Sequence, residues 1–460
     1  MLRSLRLAAA PLLACLSAVP TAARAESPGA LQMAIGNPAD LKIAATVRVR
    51  YEALDGQPRA GLNPDADVLA IRSTLLLEYR HGPWRIGGEL NDSRAYWGAA
   101  DGSVTTNDVN TFEPVQAYLG LDLGAALGKG SKLGLQAGRM TMNAGSRRFL
   151  SSDDYRNATQ AYTGLRADFK RRDGTSVTLF YLLPQVHLPD DRASVLDNRT
   201  ALDKETFDLA LFGGVVSRPD TIAGAAAEIG YYRLREKDAP GRLTKDRDLH
   251  TFTARLLRDP KPGKLDFELE GAWQTGRISA SSAADAAHLN VDAGMVHAGI
   301  GYMLPGTAKA HAMLMFDWVS GDRPGGSFNR FDTLFGMRRA EWGPSGIFAA
   351  IGRANITAAS VRLEAAPGKR LDAILLYRAM WLASRTDAFS TTGVVDKTGA
   401  SGRFAGHQID SRVRYWLVPG LLRGEVNFDW IAKGRFLDVA PNAPRTGDAH
   451  YVGAALTASL

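Results

Sequence analysis

Arginine is the residue whose placement in this chain asks for a chemical explanation. Arg48 and Arg50 stand two apart, as do Arg412 and Arg414, while Arg147 and Arg148 are adjacent. A guanidinium is a planar, permanently charged fork that matches a carboxylate bidentately. Several gathered on one surface would bind or pass anions. Arg72, Arg139, Arg166, Arg362 and Arg378 join the candidates, with Asp168 as an acidic member. The competing reading is structural, because acids are at least as numerous around them and each Arg can close an ordinary ion pair. Arg412 with Arg414, and Arg147 with Arg148, are the ones expected to face solute.

The elements that carry these side chains show a period of two. Ala45, Val47, Val49 and Tyr51 alternate with Thr46, Arg48, Arg50 and Glu52. Leu265, Phe267, Leu269 and Trp273 oppose Asp266, Glu268, Glu270 and Gln274; Leu422, Val426, Phe428 and Trp430 oppose Arg423, Glu425, Asn427 and Asp429. Helical spacing would scatter such sets, whereas a strand separates them onto two faces. The pattern predicts about eighteen strands, near 44–54, 67–79, 84–97, 111–123, 132–142, 161–171, 175–186, 206–217, 223–236, 248–258, 264–277, 291–304, 308–320, 355–366, 369–382, 406–417, 421–433 and 449–460.

Connections alternate short and long. Short ones are built from turn residues, as in His81-Gly82-Pro83, Arg172-Asp173-Gly174, Pro305-Gly306-Thr307 and Pro419-Gly420. Long polar ones fall between, at 98–110, 143–160, 187–205, 238–248, 321–354 and 384–405. All long loops therefore emerge at one end and all short turns at the other. The fold class predicted is all-β: a transmembrane antiparallel barrel of about eighteen strands, with short periplasmic turns and long extracellular loops. A soluble two-sheet protein is the alternative, but its strands would be shorter and its loops would not alternate. Tyr51, Tyr79, Trp84, Trp97, Tyr231, Trp273, Trp318, Trp381, Trp430 and Tyr451 are expected in interfacial girdles. The loop 321–354 holds Phe328, Phe331, Phe335, Trp342 and Phe348, too many aromatics for a solvated loop, so it should fold inward as a constriction or lid.

The N-terminus reads as a targeting segment. Arg3 and Arg6 precede an apolar stretch from Leu7 to Pro20, and Ala23-Arg24-Ala25 supplies a cleavage signal, giving a cleaved leader at 1–25 and a barrel domain at 26–460. A lipoprotein box around Cys15, the only cysteine, is the alternative. Without it no disulfide or thiol chemistry is available. The formal charge of +7 includes Arg3, Arg6 and Arg24, so the remainder is only mildly basic and implies no nucleic-acid partner. No metal-ligand spacing or phosphate-cradling loop occurs. Asp153-Asp154 and Asp190-Asp191 are of a kind that binds Ca²⁺, yet solvated loop charge accounts for them, and no cofactor is expected. His297 and His311 lack a Ser partner, so no enzyme is indicated.

Gly138-Arg139-Met140-Thr141-Met142, followed by Gly145-Ser146-Arg147-Arg148-Phe149, Asn157 and Tyr162-Thr163-Gly164-Leu165-Arg166, resembles the alginate-export family of outer-membrane porins. There a GRQ-like strand runs into a G-x-x-R-L/F loop, an Asn and an F-D-G-x-R strand; Met140 and Tyr162-Thr163-Gly164 depart from it. Phe328-Asn329-Arg330-Phe331-Asp332-Thr333-Leu334-Phe335, with Asn355 and Pro367, is similar to a later family segment. The resemblance implies a monomeric, ligand-selective channel of eighteen strands, with Arg139, Arg147, Arg148 and Arg166 on the selective pathway. In the family's namesake an Arg-lined constriction passes alginate outward. Arg48, Arg72, Arg362 and Arg414 are added from strand parity, with Asp168, Arg378 and Arg412 also lumen-facing. Expected partners are outer-membrane lipid and an anionic solute or polysaccharide, with a periplasmic export complex as a further candidate. A general or sugar-specific diffusion porin is the alternative function.

Overall fold

A computed structural model describes residues 29–460 apart from Asp154 and Pro240. The expected leader, with Cys15, lies outside the described residues. Strands β1 to β6 are Leu41–Asp55, Ala66–His81, Trp84–Tyr96, Asn110–Gly124, Lys132–Met140 and Tyr162–Lys170. Strands β7 to β12 are Ser176–Pro184, Leu209–Ile222, Ala225–Glu236, Asp248–Arg258, Leu265–Ser279 and His288–Met303. Strands β13 to β18 are His311–Val319, Ile356–Ala365, Leu371–Trp381, Phe404–Val418, Leu422–Lys433 and Ala449–Ser459. All eighteen strands expected from the alternation are present. A two-residue segment, Ser327–Phe328, adds a parallel pairing to β12 within a loop.

Each long strand pairs antiparallel with the next, and β18 returns to β1, from Ser459 against Thr46 to His450 against Asp55. The sheet therefore has no edge, the condition under which strands can lie in hydrocarbon. Its two faces separate by parity. Val47, Val49 and Tyr51 are exposed on the outside, while Arg48, Arg50 and Glu52 between them are buried on the inside. Where β5 crosses β4, Gly138 has φ +117° and a Cβ there would stand 2.4 Å from the Ala117 carbonyl oxygen, so only glycine fits.

Tyr79, Trp84, Trp97 and Trp273 are exposed on the outer surface, as an interfacial girdle requires. Tyr451 corrects that expectation. Val452 and Leu456 point outward, so by parity Tyr451 points in, and it is fully buried. Its hydroxyl donates to Glu52 Oε1 at 2.7 Å and lies 2.9 Å from the Tyr155 hydroxyl. The long loop between β13 and β14 folds inward as its aromatic content suggested: Phe331, Trp342 and Phe348 are buried.

Val49 and Leu456 are cross-strand partners on the outer face. Replacing either with Arg should cost about 2–4 kcal/mol if the position sits near the bilayer midplane, measured by urea titration of the barrel refolded into lipid vesicles. An unchanged midpoint would mean that this face does not meet lipid.

Candidate functional site

Register builds the lumen wall. Arg72 of β2 stands opposite Arg48 of β1, Arg48 opposite Thr457 of β18, and Thr457 opposite Arg423 of β17. With strands about 4.8 Å apart, this row carries three arginines across four neighbouring strands. In the adjoining row Arg50 faces Ala455, Ala455 faces Glu425, Glu425 faces Arg414, and Arg414 faces Asp372. Arg412 and Arg414 share the single carboxylate of Asp372, at 3.5 and 2.8 Å. The Arg423 guanidinium lies 5.7 Å from the Trp416 ring centre. Arg48 and Arg72 both donate to the carbonyl of Arg156, at 2.9 and 3.3 Å, which tethers a loop to the wall.

Two loops fill the space beside this wall. The first, 141–161, is anchored by Asn157, whose amide donates to the carbonyls of Ile71, Arg94 and Asp108 at 3.2, 3.0 and 2.9 Å. The second, 320–355, is anchored by Asn355, which donates to the carbonyls of Ser384, Asp387 and Ala388. The two bond to each other: Phe335 N–H donates to Phe149 O at 3.0 Å, Ser151 N–H to Phe335 O at 3.0 Å, and Met337 N–H to Arg147 O at 3.1 Å.

Arg148 is the electrostatic centre of that assembly. Its guanidinium meets Glu268 at 2.6 Å, and also Glu270 and Glu341. Burial disfavours the Arg148 charge, but Glu268, Glu341 and Glu270 outweigh it and hold its pKa well above the ordinary value. For Glu341 burial likewise acts upward, and Arg148 and Arg353 overcome it, keeping the carboxyl well below the usual range. Across the lumen, Arg339 donates to Asp410 at 2.9 Å and to Asn427 at 2.6 Å. Arg378 donates to Gln408 at 2.7 Å and sits 4.4 Å over the Trp342 ring. Tyr155 is held between Arg50 at 4.5 Å and Arg339 at 5.3 Å.

The structure thus brings together Arg48, Arg72, Arg412 and Arg414 on one arc, with Arg378 on adjacent β15 turned toward the loop. Arg148 is not solute-facing but buried among three glutamates. Arg147, with φ +67°, donates to Asn143 at 3.1 Å. The others lie on different arcs: Arg139 pairs with Glu113 and Glu205, Arg166 with Asp168 at 2.6 Å, and Arg362 with Glu364. Sequence reasoning passed over Arg156, Arg338, Arg339 and Arg353. The Arg338-Arg339 doublet gives the same signal as Arg147-Arg148, and lies in the loop already expected to fold inward. Among the described residues no group of His, Cys, Asp and Glu is placed to hold a metal ion.

A charged lumen walled off from lipid by apolar side chains is a route for polar solute across a bilayer, and this defines a channel of the porin class. Residues 39–445 match the profile described as "Alginate export", and the chain belongs to that family of the Gram-negative outer membrane. No curated protein sequence matches it. Among solved structures it is similar to Pseudomonas aeruginosa OpdK, with TM-score 0.58 and 12% identity over 92% of this chain and 98% of that one. OpdQ of the same organism gives 0.56 and 14%, over 91% and 97%. OccAB1 of Acinetobacter baumannii gives 0.56 and 11%, over 91% and 96%.

Arg148→Ala would leave three buried carboxylates without their common partner, a loss of about 3–5 kcal/mol. The expected outcome is earlier protease cleavage within 320–355 and a noisier, larger conductance. Because Glu341 is held below its ordinary range, its contribution is full at neutral pH and lost as pH falls, so acid should loosen the same loop in the wild type.

Proposed function

We propose that the channel passes an anionic polysaccharide of the alginate type, or another anionic solute, by facilitated diffusion along the arc formed by β15 to β18, β1 and β2. The observation that carries this reading is the cross-strand row of Arg72, Arg48 and Arg423 beside Arg412 and Arg414, which share one aspartate. Guanidinium groups ranged along a channel wall attract anions and present bidentate donors to carboxylates as they pass. Each holds solute weakly enough for release, since neighbouring arginines offer equivalent contacts one strand away. Flow follows a gradient or a partner's work. Monomeric assembly, and service to a periplasmic export complex, belong to the same proposal.

A second reading is favoured by the two loops inside the barrel, which leave less room than an open pore. On it, the channel takes small carboxylates or other small polar solutes. OpdK, a structural neighbour, has been solved with vanillate, itself a carboxylate.

Block of single channels by oligogalacturonate tests the proposal. The wild type should be blocked at millimolar concentration or below, and Arg412→Gln with Arg423→Gln should weaken the block about tenfold or more. Indifference of the wild type to the oligomer, with block by small carboxylates alone, would favour the second reading.

A further inference from the structure

At the loop end of the barrel the strands open into a cavity of about 560 Å³, between the loops 237–247, 280–287, 320–355 and 382–403. Its size lies within the range of ligand pockets, about 300–1,000 Å³. Arg242, Lys245, Arg247, Arg330, Arg338 and Arg353 line it, against the acids Glu236 and Asp332. This is separate from the arginine row on the wall and uses none of its residues.

Most of that charge is already matched. Arg247 joins Glu236 at 2.7 Å to Asp332 at 2.8 Å, and Arg242 reaches Glu236 at 3.5 Å. Arg330 pairs with Asp387 at 2.7 Å, and Arg353 with Glu341. Two cations are left over. Among the described residues neither Arg338 nor Lys245 forms an ion pair with a carboxylate, and Arg338 has only the Ala349 carbonyl, at 2.9 Å, as a hydrogen-bond acceptor. Arg338 is also crowded by like charge: burial first, then Arg156, Arg59 and Arg353, outweigh the opposing pull of Asp153 and push its pKa down to about 10. An anion placed there would relieve that repulsion. Lys245 is exposed on the opposite loop.

The rest of the lining narrows the chemistry. Thr333, Ser282 and Thr391 contribute hydroxyls, and half-buried Phe328 contributes an aromatic surface. Fixed cations for a carboxylate, hydroxyls for hydroxyls and an apolar face for a ring describe a sugar acid better than a simple inorganic anion. Arg338 also lies within electrostatic reach of Arg156, whose carbonyl holds Arg48 and Arg72.

We propose that this loop-side cavity is a binding subsite for a carboxylate-bearing saccharide, which Arg338 and Lys245 engage at the extracellular mouth of the channel. For its ligand class the proposal rests on the anionic-solute reading, but the site is distinct from the wall. The probe is trigalacturonate, used with the full chain refolded as a barrel. It is titrated calorimetrically in detergent and added as a blocker to one side of a planar bilayer at a time. Arg338→Gln with Lys245→Gln should lower the association rate from the loop side about tenfold more than from the turn side, and weaken calorimetric binding in parallel. Arg423→Gln, on the wall, should weaken block from both sides. If the double variant does not refold, Lys245→Gln alone, at an exposed position, should still slow loop-side association severalfold. A loop-side rate unchanged in the variants overturns the proposal, as does inorganic phosphate competing as well as monomeric galacturonate. If the wild-type lumen shows no anion preference, the channel reading fails by itself, and calorimetry on the cavity variants still decides the subsite.

Discussion

In hydrocarbon a backbone N–H or C=O without a partner costs several kcal/mol, so strands of this kind have no stable arrangement except a closed ring. The pairing of β18 with β1 meets that requirement. Once the ring is closed, every second side chain must face lipid and the rest must face inward. The inward set of this chain is rich in Arg, Glu and Asp. The lumen is therefore charged by necessity, and what distinguishes one arc from another is how completely that charge is matched.

Two regimes result. Around β10 to β12 the acids Glu268 and Glu270 reach inward to Arg148 on a loop, and the loop becomes part of the interior. A buried charge that loses its partner is costly, so this cluster fixes where the loops 141–161 and 320–355 lie. Around β16 to β18, β1 and β2, arginines stand side by side across neighbouring strands, with Glu52, Asp372 and Glu425 among them and the Arg156 carbonyl accepting from Arg48 and Arg72. One side of the lumen is locked by complementary charge. The other gathers arginines in a cross-strand row, and the proposed route for an anion runs along it.

The barrel was legible in the sequence because closure imposes a local pattern. Val47, Val49 and Tyr51 against Arg48, Arg50 and Glu52 can be sorted from a few adjacent residues, and Gly-Pro turns mark every second connection. The inward loop was legible as well, since Phe331, Trp342 and Phe348 make little sense in water. The partners of individual arginines were not. Arg148 lies more than a hundred residues from Glu268 and Glu341, and nothing local separates it from Arg147 beside it, which bonds Asn143 instead. Tyr451 was misplaced when its aromatic character was weighed above the parity of Val452 and Leu456. Arg338 and Arg353 matter through the loop's tertiary fold, which strand periodicity does not describe.

The proposal to be tested is that the arginine row of the lumen makes the pore prefer anions. Its most direct test is the reversal potential of the wild-type channel in a planar bilayer under a tenfold KCl gradient. The account predicts a reversal potential displaced clearly toward the chloride equilibrium value, with the displacement shrinking as salt rises and screens the wall. A potential displaced toward the potassium value would show that the lumen acids, not the arginine row, govern what passes.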